Sequence, residues 1–252
     1  MQGYRKMPEL CSKDHSDTID TAIILPTYCE AENVENLIST IERLGINPAI
    51  LVVDDSSPDE TGNIVRKLQE VYPNITLLNR PRKAGLGTAI TDGFRFLLSQ
   101  PNTPDYVILM DADYSHNPED IPRLLAQAKK GNDIVVGSRY CEGGKVKGWN
   151  LKRQVISKIA NKITAKIVAL PISDFTSGFR CYSRQFIQKV LPSLHSQTYE
   201  IQIETLRQAS MWRARVSEMP ITFTNRKKGK SKLTRNEITG FILYVLKVAL
   251  RK

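Results

Sequence analysis

Two aspartates one residue apart, Asp111 and Asp113, follow directly on the apolar run Tyr106-Val107-Ile108-Leu109-Met110. On an extended chain successive side chains alternate faces, so carboxylates at i and i+2 point the same way and can grip one hard cation between them. A cation held in that way suits a diphosphate, whose oxygens complete the coordination shell. A second acidic pair, Asp54-Asp55, ends the run Ile50-Leu51-Val52-Val53, and Ile23-Ile24-Leu25 leads into Pro26-Thr27-Tyr28-Cys29-Glu30. Three apolar runs therefore each deliver polar groups at their carboxyl ends, which is where parallel α/β sheets bind their ligands.

The elements that must position these residues follow from hydrophobic spacing. Runs at 22–26, 50–53, 75–78, 106–110 and 133–137 read as short buried strands. Glu32 to Leu44 carries Val34, Leu37, Ile38, Ile41 and Leu44 at helical spacing, and Asp59 to Val71 carries Ile64, Val65, Leu68 and Val71. Strand-helix alternation predicts a mostly parallel sheet with helices on both faces. Asn117-Pro118-Glu119-Asp120 reads as a capped helix start leading into Ile121 to Lys130, with Gly131 as the stop, so Asp111 and Asp113 fall in a strand-to-helix loop. Gly85-Leu86-Gly87 lacks the pattern of a P-loop and is read as a tight helix entry.

Beyond Gly137-Ser138-Arg139 the pattern changes. Cys141 to Gly148 reads as a mobile loop. Leu151 to Leu170 is a basic amphipathic helix, with Leu151, Val155, Ile156, Ile159, Ile163, Ile167 and Val168 on one face and Lys152, Arg153, Lys158, Lys162 and Lys166 off it. Packing of the apolar face on the core is the favoured reading, and a lipid surface is the alternative. Asp174 to Tyr182 and Val216 to Phe223 read as strands, Arg184 to Leu191, Glu200 to Met211 and Asn236 to Leu250 as helices.

Composition sets limits on function. With 252 residues, 41% hydrophobic and 25% charged, the chain has globular proportions. Its net charge of +10 is divided unevenly: residues 1–138 hold 13 Lys+Arg against 20 Asp+Glu, a charge of −7, whereas residues 139–252 hold 23 against 6, a charge of +17. The second half is thus suited to an anionic partner such as phosphate, nucleic acid or an acidic membrane. Only 7% of residues are aromatic and no stacking platform alternates with the basic residues, which argues against nucleic acid. Four scattered cysteines, Cys11, Cys29, Cys141 and Cys181, give neither a zinc pattern nor a disulfide framework and fit a reducing cytoplasm. No run approaches the ~20 apolar residues of a membrane span, so membrane contact is expected to be peripheral.

The ordered set Pro26–Glu30, Asp54–Thr61 and Met110–His116 resembles the family 2 glycosyltransferases, whose single GT-A domain is an α/β, Rossmann-like, mostly parallel sheet flanked by helices. Gly85–Ala89, Gly137–Tyr140, Gly148–Arg153, Ser173–Arg180 and Arg226–Lys232 narrow the resemblance to the dolichol-phosphate (polyprenyl-phosphate) mannosyltransferases, from about Thr21 to the carboxyl terminus. The resemblance implies a tail over 1–18, a GT-A domain over 19–235, and a terminal helix over 236–252 that contacts a membrane. It implies mannose transfer from a nucleotide-sugar donor, GDP-mannose, to dolichyl or polyprenyl phosphate at the cytoplasmic face of a membrane, with small membrane subunits as further partners in some members. Pro26, Tyr28, Glu30, Val53 and Asp55 would contact the nucleoside, and Asp111, Ala112 and Asp113 the diphosphate and its Mg²⁺ or Mn²⁺. Ser115 stands at a third metal-ligand position that is glutamine in some members. Arg139, Arg226 and Lys232 match basic residues around the sugar diphosphate and the acceptor phosphate, and with Asp113 form the catalytic set. A phosphate acceptor is already ionised at neutral pH, so no general base is nominated. The alternatives are a family 2 transferase using another donor such as UDP-glucose, or another acceptor, and a nucleic-acid-binding protein. His116 is read as a loop histidine, and Trp149 as packing on Leu151 or touching a lipid chain.

Overall fold

The structure is a computed structural model that describes residues 20–226 and Tyr244. The expected tail over 1–18, Lys232, and the terminal helix apart from helical Tyr244 lie outside the described residues. A seven-stranded sheet runs in the order β3-β2-β1-β4-β7-β5-β8. Its members are β1 Thr21–Thr27, β2 Ala49–Asp54, β3 Ile75–Asn79, β4 Tyr106–Leu109, β5 Ile134–Ser138, β7 Arg180–Ser183 and β8 Val216–Pro220. All pairs are parallel except those of β7, which is antiparallel to both β4 and β5.

The near-continuous apolar runs of β1 and β2 are what a strand covered on both faces requires. Ile23 and Leu25 join Ile50 and Val52 in one core layer with Val34, Leu37, Ile38 and Ile41 of helix α1 (Val34–Glu42) and with Val65 and Leu68 of α2 (Thr61–Val71). Ile24, Leu51 and Val53 point the other way, towards Ile90, Phe94 and Leu97 of α3 (Leu86–Leu98) and the interior of α6 (Arg184–Val190) and α7 (Ile201–Met211). The two-residue alternation of strand side chains thus loads two helix layers from one sheet.

The helix signals read from sequence are realised with small shifts. Gly85 has φ +98° and opens α3, and a Cβ on it would meet the Gln197 carbonyl oxygen at 2.5 Å, so both backbone conformation and space require glycine there. The Gly87 amide donates to that same carbonyl at 2.9 Å, tying α3 to the segment before α7. Asn117 caps a 3-10 turn, Pro118–Asp120, that feeds α4 (Ile121–Ala128), and Gly131 turns out of it with φ +88°.

Three expectations are corrected. The strand expected over Asp174 to Tyr182 is confined to β7, because 174–179 is a loop folded around a buried arginine. Val216 to Phe223 divides at Ile221 into β8 and a short β9, Thr222–Thr224. The loop expected over Cys141 to Gly148 contains β6, Lys145–Lys147, which pairs in parallel with β9 as a separate two-stranded ribbon. Cys29, Cys141 and Cys181 are free thiols.

Candidate active site

The carboxyl ends of β1, β2 and β4 open into one cleft with the amino end of α3. Pro26, Tyr28, Glu30, Asp55, Asp111, Ala112, Asp113 and Arg226 all line it, joined by Lys83, Gly85, Leu86 and Tyr199. The Lys83 ammonium sits 3.9 Å from the centre of the Tyr28 ring, on the face that a flat base would use. Asp55 is committed to shaping the cleft wall: Oδ1 meets Arg80 at 2.8 Å, and Oδ2 accepts the Ala84 and Gly85 amides at 3.1 and 3.0 Å. Asp54 turns away to Thr27 and Ser57. The Val53 side chain is wholly buried below the cleft against α3 and does not line it.

Asp111 and Asp113 share the cleft for a different reason from strand alternation. The strand stops at Leu109, and a turn that includes Tyr114 at φ +58° brings the second carboxylate round beside the first. Asp113 is held: the Ser115 amide donates to Oδ1 at 2.9 Å, and Arg226 lies 3.0 Å from Oδ2. Burial works to raise its pKa, but Ser115 and the Arg226 cation outweigh it, so Asp113 stays below the usual carboxylate range. Asp111 accepts no hydrogen bond on its carboxylate from any described residue. Burial first, and the Asp113 charge second, push its pKa up to about 7. Its side chain is still 38% exposed, at the floor of an open cleft where an ion can reach it. His116 lies behind the pair, stacked on Phe179 at 5.3 Å, with Nδ1 accepting the Asp111 amide at 3.4 Å. Burial lowers its pKa to about 4, so the ring is neutral.

A cluster of guanidinium groups adjoins the carboxylates. Arg139, at the end of β5, is 7% exposed, and Asp174 grips it bidentately, Nε to Oδ2 and Nη2 to Oδ1 both at 2.7 Å, while Thr176 accepts a third bond at 2.6 Å. Asp174 also accepts the amides of Arg139, Thr176 and Ser177, which folds the 174–179 loop around the ion pair. Arg153, on helix α5 (Leu151–Val168), stacks on Trp149 at 4.0 Å. Its pKa is lowered by burial and by the positive charges of Arg226 and Arg139, and Arg139 lies 5.5 Å from the same Trp149 ring. Sequence reading missed Asp174 and Arg153 as site residues, placing the first in a strand and the second on a solvated helix face. The available signal was that both lie within the quoted motifs. Ser115 is buried and borders a neighbouring depression that it shares with Asp113, Asn33, Asn36 and Asn225.

Helix α5 overturns the favoured reading of its apolar face. Leu151, Val155, Ile156, Ile159 and Ile163 are 48–79% exposed, whereas the buried positions are Asn161, Thr164 and Val168. The polar seam faces inward because the loop needs it: Asn161 accepts the Phe175 amide at 2.6 Å and donates to Thr176 at 3.1 Å, and Ser157 bonds the Tyr140 hydroxyl at 2.7 Å. Between this seam and β6 lies a cavity of about 500 Å³ lined by Arg139, Tyr140, Lys145, Lys158 and Lys162.

The sequence profile described as glycosyl transferase family 2 matches residues 22–191, which spans the sheet from β1 through β7 and both acidic loops. The chain belongs to glycosyl transferase family 2. This family 2 chain is 37% identical over 233 residues to the polyprenol monophosphomannose synthase of Mycolicibacterium smegmatis, an alignment covering 92% of this chain and 87% of that one. It is 36% identical over 233 residues to the dolichol-phosphate mannosyltransferase of Pyrococcus furiosus, covering 90% of this chain and 63% of that longer protein. Among solved structures, the glucosyl-3-phosphoglycerate synthase of Mycobacterium tuberculosis with phosphoglyceric acid has a TM-score of 0.65 at 18% identity, covering 90% of this chain and 79% of that one. The same synthase with Mn²⁺, UDP-glucose and phosphoglyceric acid has a TM-score of 0.63 at 18% identity, over 92% and 79%. The glycosyltransferase therefore has the GT-A fold, as its sequence led one to expect.

Proposed function

We propose that this glycosyltransferase moves mannose from GDP-mannose to the phosphate of a dolichyl or polyprenyl lipid, inverting the anomeric carbon. One observation carries the reading: a carboxylate pair meets Arg226 in a cleft, with Arg139 and Arg153 close by around Trp149, in a chain 37% identical to a polyprenol monophosphomannose synthase. The donor lies along the carboxyl ends of β1, β2 and β4, with its base on Tyr28 and Pro26 and its ribose near Glu30. Asp55 sets the wall of that pocket through Arg80 and the α3 entry. Lys83 and Arg226, both lining the cleft, exchange their partners Tyr28 and Asp113 for the incoming phosphates.

Asp111 and Asp113 suit a divalent cation. One is already ionised, and the other is a carboxyl group to which no described residue donates a hydrogen bond, pushed up to about 7, which a cation would ionise. Among the described residues no group of three His, Cys, Asp or Glu side chains gathers into a metal cage. That agrees with Mg²⁺ or Mn²⁺ held by two carboxylates and completed by substrate phosphates. A bound cation of this kind draws negative charge from the departing diphosphate.

The acceptor phosphate is placed at Arg139 and Arg153, with Arg226 between it and the donor and Lys232 assigned to the same cationic set. Fixed guanidinium groups offset the repulsion of two anions that must approach one another. Arg139 can stay rigid there because Asp174 and Thr176 hold its fork. A phosphate oxygen attacks the anomeric carbon as the bond to the GDP oxygen breaks, and GDP leaves with that electron pair. Since the nucleophile arrives ionised, no side chain has to remove a proton.

The outward apolar face of α5, beside Lys152, Lys158, Lys162 and Lys166, is the proposed contact with an anionic membrane, with the terminal helix over 236–252 as a second contact. Among the described residues no helix is long and apolar enough to cross a bilayer. The test is incubation with labelled GDP-mannose or UDP-glucose, polyprenyl phosphate and Mg²⁺ or Mn²⁺, followed by solvent extraction. Label from GDP-mannose should enter the organic phase in the inverted configuration. Label from UDP-glucose alone, or retention of configuration, would overturn the proposal.

A further inference from the structure

We propose that Gln202, in the first turn of α7, belongs to the metal site of this enzyme, acting beside Asp111 across Gly178. The inference rests on the reading of Asp111 and Asp113 as cation ligands. Gln202 is 4% exposed, and its Oε1 is buried without a hydrogen-bond partner. An unsatisfied amide oxygen in that position is unfavourable unless something polar meets it. Gly178 separates Gln202 from Asp111. A Cβ at Gly178 would stand 3.3 Å from Asp111 Oδ1 and 3.6 Å from Gln202 Nε2, so the two side chains face a common space that the absent methyl leaves open. The end of the amide towards that space is Nε2, and a half-turn exchanges it for Oε1, which then faces Asp111 and a cation beside it.

The surroundings hold this arrangement firmly. Arg180, wholly buried, donates to the Gln202 carbonyl at 2.7 Å and to Thr205 at 2.9 Å from one nitrogen, and to the carbonyls of Phe175 and Ser177 at 2.9 Å from the others. One guanidinium thus clamps the start of α7 to the loop that carries Gly178. An amide oxygen is a normal ligand for a hard cation, directly or through one of its waters. Gln202 would thereby hold the Asp111 end of the shell.

The test is Mn²⁺ binding to the full-length protein, read by electron paramagnetic resonance with and without GDP, alongside GDP binding in EDTA. Gln202→Leu, which keeps the volume and loses the amide, should weaken Mn²⁺ in the GDP complex about tenfold and leave metal-free GDP affinity unchanged. Gly178→Ala, which puts a methyl into the shared space, should weaken Mn²⁺ in the same direction, and Gln202→Ala is the substitute if the leucine variant does not fold. Mn²⁺ affinity within twofold of the parent in the Gln202 variants would overturn the inference. So would a parallel loss of GDP affinity in EDTA, which would make Gln202 a wall of the nucleotide pocket. Asp111→Ala and Asp113→Ala separate the two ideas: if these leave Mn²⁺ binding intact, the metal reading itself fails, and if they abolish it while Gln202→Leu does nothing, only the inference about Gln202 does.

Discussion

At the scale of single residues, the site depends on two aspartates that share a loop and ionise differently. Asp113 is kept charged by Ser115 and Arg226, and Asp111 is kept reluctant, at about 7, by burial and by Asp113 itself. Below pH 7 a cation must displace a proton from Asp111, and above it need not, so Mn²⁺ affinity should be about tenfold weaker at pH 6 than at pH 8. Equal affinities at the two values would show that Asp111 is not the group in question. Asp174 gives a stability prediction of the opposite sign. Burial alone would raise its pKa, but Arg139 and the loop amides overcome this and lower it. Such a carboxylate stabilises the fold above its unfolded pKa, and the contribution is lost as pH falls through the lowered folded value. Asp174→Asn strands the buried Arg139 charge and should destabilise the fold by about 3–5 kcal/mol at neutral pH in urea unfolding. A change under 1 kcal/mol would mean that the loop does not depend on the pair. The aspartates at 54, 55, 111 and 113 were legible in sequence because each ends an apolar run. Asp174 and Gln202 were not, because their role arises from contacts with Arg139 and across Gly178 that local spacing does not encode.

At the scale of elements, the sheet was legible wherever burial on both faces writes an uninterrupted apolar run, as in β1, β2 and β5. It was less so at β7 and β9. A four-residue antiparallel strand and a three-residue ribbon strand carry too few positions to mark a period, and their pairing is set by distant partners. Helix α5 had the right span but not the right orientation. Its apolar residues read as a core face, yet the loop over 174–179 requires hydrogen bonds with Asn161 and the Tyr140 hydroxyl bonds Ser157, so that seam turns inward and Ile156, Ile159 and Ile163 turn out. If that face meets lipid, replacing Val155 and Ile159 by serine should lower binding to vesicles containing anionic phospholipid at least tenfold in a flotation assay, with thermal stability unchanged. Undiminished flotation would remove α5 as the contact.

At the scale of the whole molecule, the uneven charge acquires a physical meaning. The acidic first half forms the strand ends that take a sugar nucleotide, and the basic second half supplies Arg139, Arg153, Arg226 and the lysines of α5 for a phosphate carried on a lipid. The cleft is where the halves meet, joined there by the 3.0 Å ion pair of Arg226 with Asp113. The central claim is that the first half holds the donor diphosphate while the second receives the acceptor phosphate. Its most direct measurement is initial-rate transfer of labelled mannose into extractable lipid by Asp113→Ala and Arg153→Ala, each at varied donor and varied acceptor. The account predicts that Asp113→Ala lowers transfer by about 100-fold or more at any acceptor concentration, whereas Arg153→Ala raises KM for polyprenyl phosphate about tenfold with KM for GDP-mannose unchanged. Full transfer by Asp113→Ala, or an Arg153→Ala defect confined to the donor, would contradict it.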